Sequence, residues 1–544
     1  MTHEEERYDV ALVGMGPVGK LAALLLARAG HSVIVVDRKQ ETYSLPRAVA
    51  HDAEIARVLQ NAGVPVDSIP DAVEPYDDMY VWVNAEGRVL HRVDWTGVDP
   101  SGWNNTYFYN QPALEAHLES RLRTHPGVEI RRGLDAHVIA DRAESVALRL
   151  DPIDGAAPLR IRAKYVLGAD GANSSVREEL GILSRDLGYF FDWLVVDVLP
   201  QKSVDVTHLA LQVCDPSRPT TVVPGGPGRR RWEFMRLEGE TVDELTDPDR
   251  IWALLAPFGV NPDNSAIERG VVYTFNSRWA EDWRKGRVFL LGDAAHLMPP
   301  FAGQGLAAGF RDAVNLVWKL DLVLRDLASD ALLDSYQAER LPHVTDFIDF
   351  SMSLGKIICV LDADEARARD EAMIAELESG IDAEPPPAPR LGGRGGASLF
   401  RGDRGGLLSR QGRITTDAVI DPVRLDDVFG AGVLILRDGS LAAHLGRSLT
   451  ALRVRGVATV AFGGVDGDVA AFTDVDGTYQ VWFDEWAVDA VLVRPDFYVY
   501  GAVASGSTDA SHEVARLAQS FLEDIEPTTA MTSPTAVGRK GQAR

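Results

Sequence analysis

Three short stretches carry residues whose types and spacing suit the binding of a nucleotide. The first is Gly14-Met15-Gly16-Pro17-Val18-Gly19, placed between an apolar strand and a helical run, with Asp37 closing the next strand. Gly14 permits a tight turn, Gly16 removes a side chain where a pyrophosphate must approach the backbone, and Gly19 lets helix and strand pack closely. The helix start at Pro17 and Val18 offers free N–H groups and a positive dipole end to phosphate, and Asp37 is placed to accept hydrogen bonds from a ribose. A merely Gly-rich turn would not account for Asp37 at this distance. The second stretch runs Gly168-Ala169-Asp170-Gly171-Ala172-Asn173-Ser174-Ser175-Val176-Arg177. The third is Gly292-Asp293-Ala294-Ala295-His296, continuing through Pro299-Pro300 and Gly303-Gln304-Gly305 to Asp312. Each of these two puts a carboxylate beside glycine at the C-terminal end of a buried strand, where an open α/β sheet binds its ligand. Asp293 is positioned to hold the hydroxyls of a sugar-like chain, and the Gly303–Gly305 turn aims the start of a long helix at the same ligand.

These residues need a scaffold, and hydrophobic periodicity supplies one. Tyr8 to Val13 reads as a strand, Val18 to Ala29 as a helix stopped by Gly30, and Ser32 to Val36 as a second strand, which completes a βαβ opening. Helices are expected over Ala48 to Ala62 and Pro112 to Arg123, a buried strand over Tyr165 to Ala169, another over Arg287 to Leu291, and a long amphipathic helix over Gly305 to Leu327. Between them, alternating strands such as Trp193 to Val198, His208 to Val213, Arg231 to Arg236 and Val271 to Phe275 predict a mostly antiparallel sheet. The fold class is therefore α/β (α+β): a nucleotide-binding domain over residues 1–182 and 283–380, with an inserted middle sheet over 183–282. A Pro- and Gly-rich stretch over 381–406 reads as a linker, 407–525 as a small C-terminal α/β domain, and 526–544 as a disordered tail.

Composition excludes several classes. The chain has 544 residues, enough for two or three domains, and its 46% hydrophobic and 25% charged content is that of a globular protein. A formal net charge of −25 repels phosphate backbones and anionic lipid, so neither nucleic acid nor a membrane is an expected partner. Cys214 and Cys359 form no CxxC and support no metal site and no disulfide scaffold. The acidic start through Glu4-Glu5-Glu6 is not read as a signal peptide, and no apolar run is long enough for a membrane span, so a cytoplasmic location is expected.

The three stretches resemble the GxGxxG, DG and GD motifs of the single-component FAD-dependent aromatic hydroxylases, the group of para-hydroxybenzoate and phenol hydroxylases. The resemblance covers roughly residues 7 to 350. Within that group the chain shows a closer resemblance to the 3-(3-hydroxyphenyl)propionate hydroxylases, through Trp193-Leu194-Val195-Val196-Asp197, Cys214-Asp215-Pro216-Ser217-Arg218-Pro219 and Arg230-Arg231-Trp232-Glu233-Phe234-Met235. These lie in the middle sheet, where the family carries its substrate pocket; a role in sheet packing is the alternative. The resemblance implies a Rossmann-like FAD-binding domain. It implies FAD contacts from Gly14, Gly16, Pro17, Val18, Gly19, Asp37, Arg38, Arg47, Gln111, Asp170, Gly171, Gly292, Asp293, Pro300, Gly303, Gly305 and Leu306. Asp170 would also touch a transient NADH or NADPH, and the start of the Gly305 helix would favour an anionic reduced flavin. Leu492-Val493-Arg494-Pro495-Asp496 resembles the thioredoxin-like tail domain of phenol and polyketide hydroxylases, with Phe497 where that tail often has glycine. Without CxxC its role is structural or in forming a homodimer.

The implied activity is hydroxylation of a phenolic aromatic acid such as 3-(3-hydroxyphenyl)propionate or 3-hydroxycinnamate, with NAD(P)H and O2, through a C4a-hydroperoxyflavin. A phenol reacts better as phenolate, and His51 and Asp52, after the Arg47 segment, are the candidate bases; capping of the helix near Asp52 is the alternative. His296 reads as a packed motif residue. Arg47, His208 and Arg236 are candidate partners for an acidic substrate tail, with a solvated surface role the alternative. Pro299 and Pro300 are expected to stiffen the chain beside the flavin ring, and the resemblance implies that their carbonyls form part of the pocket wall. Two other readings stay open: a tailoring hydroxylase of a polyketide or other bulky aromatic, and a flavin-binding oxidase or redox module without oxygenase activity. A flavin halogenase would show Trp-x-Trp-x-Ile, which is missing.

Overall fold

The computed structural model describes residues 5–45, 47–141, 144–201, 208–380, 391–392, 399–463 and 469–526. Its first sheet begins with Glu6–Val13, whose run of buried Val10, Ala11, Leu12 and Val13 is the signature of a strand covered on both faces. The chain turns through Gly14 and enters the helix Pro17–Arg28, with proline in its first turn where a missing N–H costs nothing. It then returns as Val33–Asp37, parallel to the first strand. Leu159–Gly168 pairs in parallel on the other side of Glu6–Val13, and Val288–Leu290 pairs in parallel beyond it. Four neighbouring parallel strands therefore end side by side: Val288–Leu290, Leu159–Gly168, Glu6–Val13 and Val33–Asp37. The third, second and first sequence stretches and Asp37 follow those four ends in that order.

The middle sheet has eight strands, built around the long antiparallel pair Ser184–Pro200 and Ser265–Ala280. It extends beyond the expected 183–282. Met79–Val83 joins it by parallel pairing with Ala210–Val213 and brings Val89–Asp94 with it, while His296–Leu297 pairs at the opposite edge. Its two faces are chemically distinct because side chains alternate along a strand. Leu194, Val196, Val198, Trp232 and Phe234 pack with Ile251 and Leu255 of the helix Pro248–Leu255. Trp193, Val195, Asp197, Arg231, Glu233 and Met235 occupy the opposite face.

The C-terminal region carries a sheet in the order Ala470–Ala471, Val457–Ala461, Gly432–Leu436, Val488–Val493, Val499–Ala504. Its first two long strands run parallel and the last two add antiparallel, the α/β thioredoxin-like arrangement. Phe497 adopts φ +71°, the conformation glycine favours, and is held there by full burial with Arg57 stacked 4.7 Å from its ring. The expected linker lies mostly outside the described residues. The described part is bound to the C-terminal sheet, since Arg401 N donates to Tyr500 O (2.7 Å) and Gly406 N to Val499 O (2.9 Å). Of the expected tail, 527–544 lie outside the described residues.

Two helices differ from expectation. Residues 48–62 are not one helix. Ala50–Asp52 is a strand paired with Thr106–Tyr109, and the helix Ala53–Asn61 starts only where Asp52 caps Ile55 N at 3.1 Å. Gly305–Leu324 is not amphipathic but buried nearly all round, with Arg311, Asp312, Asn315 and Lys319 among its buried residues. No helix among the described residues is long and apolar enough to cross a membrane, and no cluster of three or more His, Cys, Asp or Glu side chains is placed to hold a metal ion.

Candidate active site

The groove above the four strand ends is shaped by contacts too close for side chains. A Cβ on Gly14 would sit 2.4 Å from Ala169 O, and one on Gly19 would sit 2.2 Å from Gly14 O. A Cβ on Gly16 would meet nothing within 4 Å, so that glycine leaves space over the free start of the Pro17–Arg28 helix. Val18 wedges between Gly292 and Gly309, whose Cβ positions would lie 3.0 and 2.5 Å from its Cγ2. The first and third loops are thereby locked together.

The carboxylates divide the work. Asp37 accepts from Met15 N and from Lys39 N, both at 2.7 Å, which uses one lone pair on each oxygen and leaves the others for hydroxyl donors. Asp170 is turned inward instead. Its oxygens accept from Ser174 Oγ (2.6 Å), Ser175 Oγ (3.2 Å) and Val176 N (3.1 Å), so it orders its own loop, in which Gly171 takes φ +85°. Arg177 ties that loop to the third one by donating to Ala172 O and Ala294 O. Asp293 is solvent-accessible yet deep among protein atoms, and this desolvation pushes its carboxyl above the usual carboxylate range. Beneath it, the buried Asp312 accepts from Gly292 N (3.0 Å), His296 Nε2 (2.6 Å) and Arg340 Nε (2.8 Å). Burial opposes the Asp312 charge, but His296 and Arg340 outweigh it and hold the group below its ordinary value.

Beyond Asp293 the chain passes Pro299, the turn at Pro300–Ala302 and Gly303 (φ +66°) before the Gly305–Leu324 helix, whose start has no side-chain cap. Leu306 is half-buried against the core. The Pro299 carbonyl accepts from Ser351 Oγ at 2.6 Å, which ties this loop to the helix Ser335–Ile358. Phe301 faces the middle sheet, with its ring 5.6 Å from Trp193 and 5.9 Å from Phe275. On the opposite side, Gln111 accepts from Arg47 N (3.1 Å) and Ala48 N (3.0 Å) and so holds the Arg47 loop in place. Arg47 is exposed with its guanidinium over the Tyr43 ring, and Arg38 is exposed at the strand end beyond Asp37.

The two candidate bases cannot act together, because adjacent residues of a strand face opposite sides. His51 points into the core of the nucleotide-binding domain, stacked on Tyr107 with ring centroids 5.1 Å apart, and burial lowers its pKa. Asp52 faces the other way, but it caps a helix and accepts from Arg311 Nη2 (2.6 Å) and Gln304 Nε2 (3.2 Å). Burial opposes its charge, Arg311 outweighs burial, and the carboxyl sits below its ordinary range, the wrong direction for a proton acceptor. Two of the three candidate cations are also placed elsewhere. Arg236 is paired with Asp192 (2.7 Å), and His208 is exposed two residues before the strand Ala210–Val213, with its carbonyl accepting from Arg230.

Arg311 was not among the expected site residues. It donates to Asp52, Glu54 and Gln304 and so braces the turn that opens the long helix. Its signal was the spacing of Arg311, Asn315 and Lys319 at successive fours along an otherwise apolar helix, which marks a polar stripe needing buried partners.

Residues 7–351 match the family described as FAD binding domain, and residues 406–520 match the HcaD C-terminal domain. A curated relative, the probable NADH-specific resorcinol 4-hydroxylase of Rhodococcus jostii, is 36% identical over 97% of both chains. The 3-(3-hydroxy-phenyl)propionate/3-hydroxycinnamic acid hydroxylase of Mycolicibacterium smegmatis is 32% identical over 91% of this chain and 90% of its own. The chain belongs to this family of FAD-dependent aromatic hydroxylases. The solved structure of the flavin-dependent monooxygenase PieE, in complex with FAD and substrate, shares its fold, with a TM-score of 0.77 at 21% identity over 95% of this chain and 99% of that one.

The groove fits the cofactor of this hydroxylase family. The open space at Gly16 suits a pyrophosphate, the spare oxygen capacity of Asp37 suits a ribose, and the accessible, desolvated Asp293 suits a hydroxyl-bearing chain. Bound FAD supplies the redox and oxygen chemistry that no side chain in the groove provides.

Proposed function

We propose that the protein hydroxylates a small, uncharged phenolic ring of the resorcinol class, drawing electrons from NADH. Gly14, Gly16, Pro17, Val18, Gly19, Asp37 and Asp293 hold the cofactor. Asp170, Gly171, Gly292, Gly303, Gly305 and Gln111 shape the loops around it. Pro300 and Leu306 carry the chain past its reactive end. The ring rests against the half-buried Phe275 and Phe301, which pack on the fully buried Trp193 where the third loop touches the middle sheet. Apolar walls of this kind exclude water from the oxygen-transfer step, which suppresses wasteful loss of the activated oxygen.

The observation that carries the choice of substrate is the charge on the middle-sheet face. An arylpropionate needs a cation for its tail. Arg236 is paired with Asp192 and Arg231 with Asp197, while Arg269 lies 3.0 Å from Asp197 and keeps Nε and Nη2 without a hydrogen-bond partner among the described residues. Arg47, exposed beside the groove, is the observation that keeps an arylpropionate as the second reading. The similarity to the resorcinol hydroxylase over 97% of both chains supports the first.

The test is NADH and NADPH oxidation with resorcinol, 3-(3-hydroxyphenyl)propionate and 3-hydroxycinnamate, with product identification. Resorcinol is expected to stimulate NADH oxidation most and to yield hydroxylated product in proportion. A preference for either acid by tenfold or more in kcat/KM moves the assignment to the second reading, and no stimulation by any phenol removes both.

A further inference from the structure

We propose that Glu233 is the group that takes the proton from the substrate hydroxyl. This rests on the reading of the substrate as a phenol and adds the residue that activates it. Glu233 lies in Arg230–Met235 with its side chain on the face opposite the Pro248–Leu255 helix. Its cross-strand neighbours on that face are Val195 on one side and Thr221 on the other, with Val271 beyond Val195.

The rows on either side place it beneath the groove. One row holds Met235, Trp193 and Tyr273, and its Trp193 touches Phe301 of the loop that opens the long helix. The other holds Arg231, Asp197 and Arg269, and its Arg231 donates to Arg47 O at 2.6 Å. Glu233 thus sits between two points where the sheet meets the cofactor-side loops.

The titratable groups facing it are few: Arg231, Asp197 and Arg269 in the neighbouring row and the buried Tyr80 of Met79–Val83. Arg231 is 3.7 Å away but is committed to Asp197 at 2.7 Å; Asp197 and Arg269 follow in the same row. Thr221 donates to Gln212, not to Glu233. The carboxylate accepts no hydrogen bond from the described residues, and 14% of its side-chain surface stays accessible, enough for a small molecule to reach its oxygens. Burial raises its pKa despite Arg231, so it binds a proton more readily than an ordinary carboxylate. In the step, the phenol O–H bond breaks, the proton passes to a Glu233 carboxylate oxygen, and the electron pair stays on the phenolate oxygen, where it enriches the ring carbon that accepts oxygen.

The experiment uses FAD-loaded wild type, Glu233→Gln and Glu233→Asp with resorcinol and with a fluorinated resorcinol whose hydroxyl is more acidic. The ratio of hydroxylated product to NADH consumed, the peroxide released and the pH profile are measured. Glu233→Gln is expected to lower product formation about 100-fold with peroxide making up the difference. It is expected to lose the acid limb of the pH profile and to regain at least tenfold with the fluorinated phenol. Wild-type product rates in Glu233→Gln, or an equal loss with both phenols, overturn the assignment. If the Gln variant does not hold FAD, Glu233→Asp decides by the same comparison of the two phenols. A wild type that makes no product from any phenol overturns the substrate reading and this assignment together, whereas a productive wild type matched by its variant overturns this assignment alone.

Discussion

The cofactor groove and the sheet face across from it are held in place by different physics. In the groove, backbone approaches backbone so closely that Gly14 and Gly19 leave no room for a methyl group. On the sheet, Arg231, Asp197, Arg269 and Glu233 share one buried face and are held by the balance of their charges. Steric exclusion has no partial form, so damage in the groove should be abrupt. Charge balance is graded by pH and by the number of partners left, so damage on the sheet should be graded too.

The sharpest way to break this comparison is a pair of substitutions three residues apart. Gly19→Ala drives its Cβ to 2.2 Å from Gly14 O, a backbone atom that cannot swing aside. We expect a stability loss on the order of 4–5 kcal/mol and no bound flavin, among the largest effects of any single change. Gly16→Ala meets no protein atom within 4 Å, so the apoprotein should melt within a degree or two of wild type while FAD affinity falls at least tenfold. Thermal melts of apoprotein and flavin occupancy after gel filtration check both. Equal melting of the two variants would show that the groove is not set by steric exclusion.

On the sheet, Asp197→Asn leaves Arg231 and Arg269, both buried, sharing a neutral partner. The expected cost is about 3 kcal/mol, read as a lower urea midpoint at unchanged slope. Because Asp197 belongs to the row beside Glu233, the loss should come with weaker coupling of NADH oxidation to product, which Gly16→Ala with saturating FAD should not show.

The same contrast explains what could be read in advance. The groove's parts lie within short stretches of chain, since a turn, a close approach and a helix start are local events that demand glycine and a nearby acid. Gly14, Gly16, Gly19, Asp37 and Asp293 were therefore legible as a candidate nucleotide site. The proposed substrate face is assembled by strand register, which puts Trp193, Glu233 and Phe275 from three distant segments on one surface, and nothing local announces it. Asp52 and His51 show the cost of reading neighbours as partners. A three-residue strand, not foreseen, turns one toward Arg311 and the other into the core. Asp170 shows another kind of detail: the serines that follow it share its oxygens and make it order its own loop.

Asp52 allows a finer test. Asp52→Asn keeps the helix cap but weakens the Arg311 pair, which retains Glu54 as a second partner, so the expected loss is about 1 kcal/mol at pH 7. The native carboxyl is depressed because Arg311 outweighs burial. A depressed carboxyl contributes stability that is fully present above its unfolded value of about 4 and is lost as pH falls through the native value. Wild type and variant should therefore differ at pH 7 and converge in acid, which urea midpoints at several pH values would show. A constant gap would mean that Asp52 acts through packing instead of charge.

The smallest expected effects belong to the two cations farthest from a role in the groove. Arg236 is a third exposed and paired with Asp192, which also accepts from Thr274, and its second contact is the Glu240 carbonyl. His208 is exposed, and among the described residues its backbone carbonyl accepts from Arg230. Arg236→Ala and His208→Ala should each change stability by about 0.5 kcal/mol or less. Neither should shift KM for resorcinol twofold, because an uncharged diphenol presents nothing for a cation to hold. The informative measurement is KM for 3-(3-hydroxyphenyl)propionate in the same two variants. A tenfold rise for the acid alone would show that the pair at Asp192 opens to receive a carboxylate, and would restore to Arg236 a role that its present ion pairing denies it.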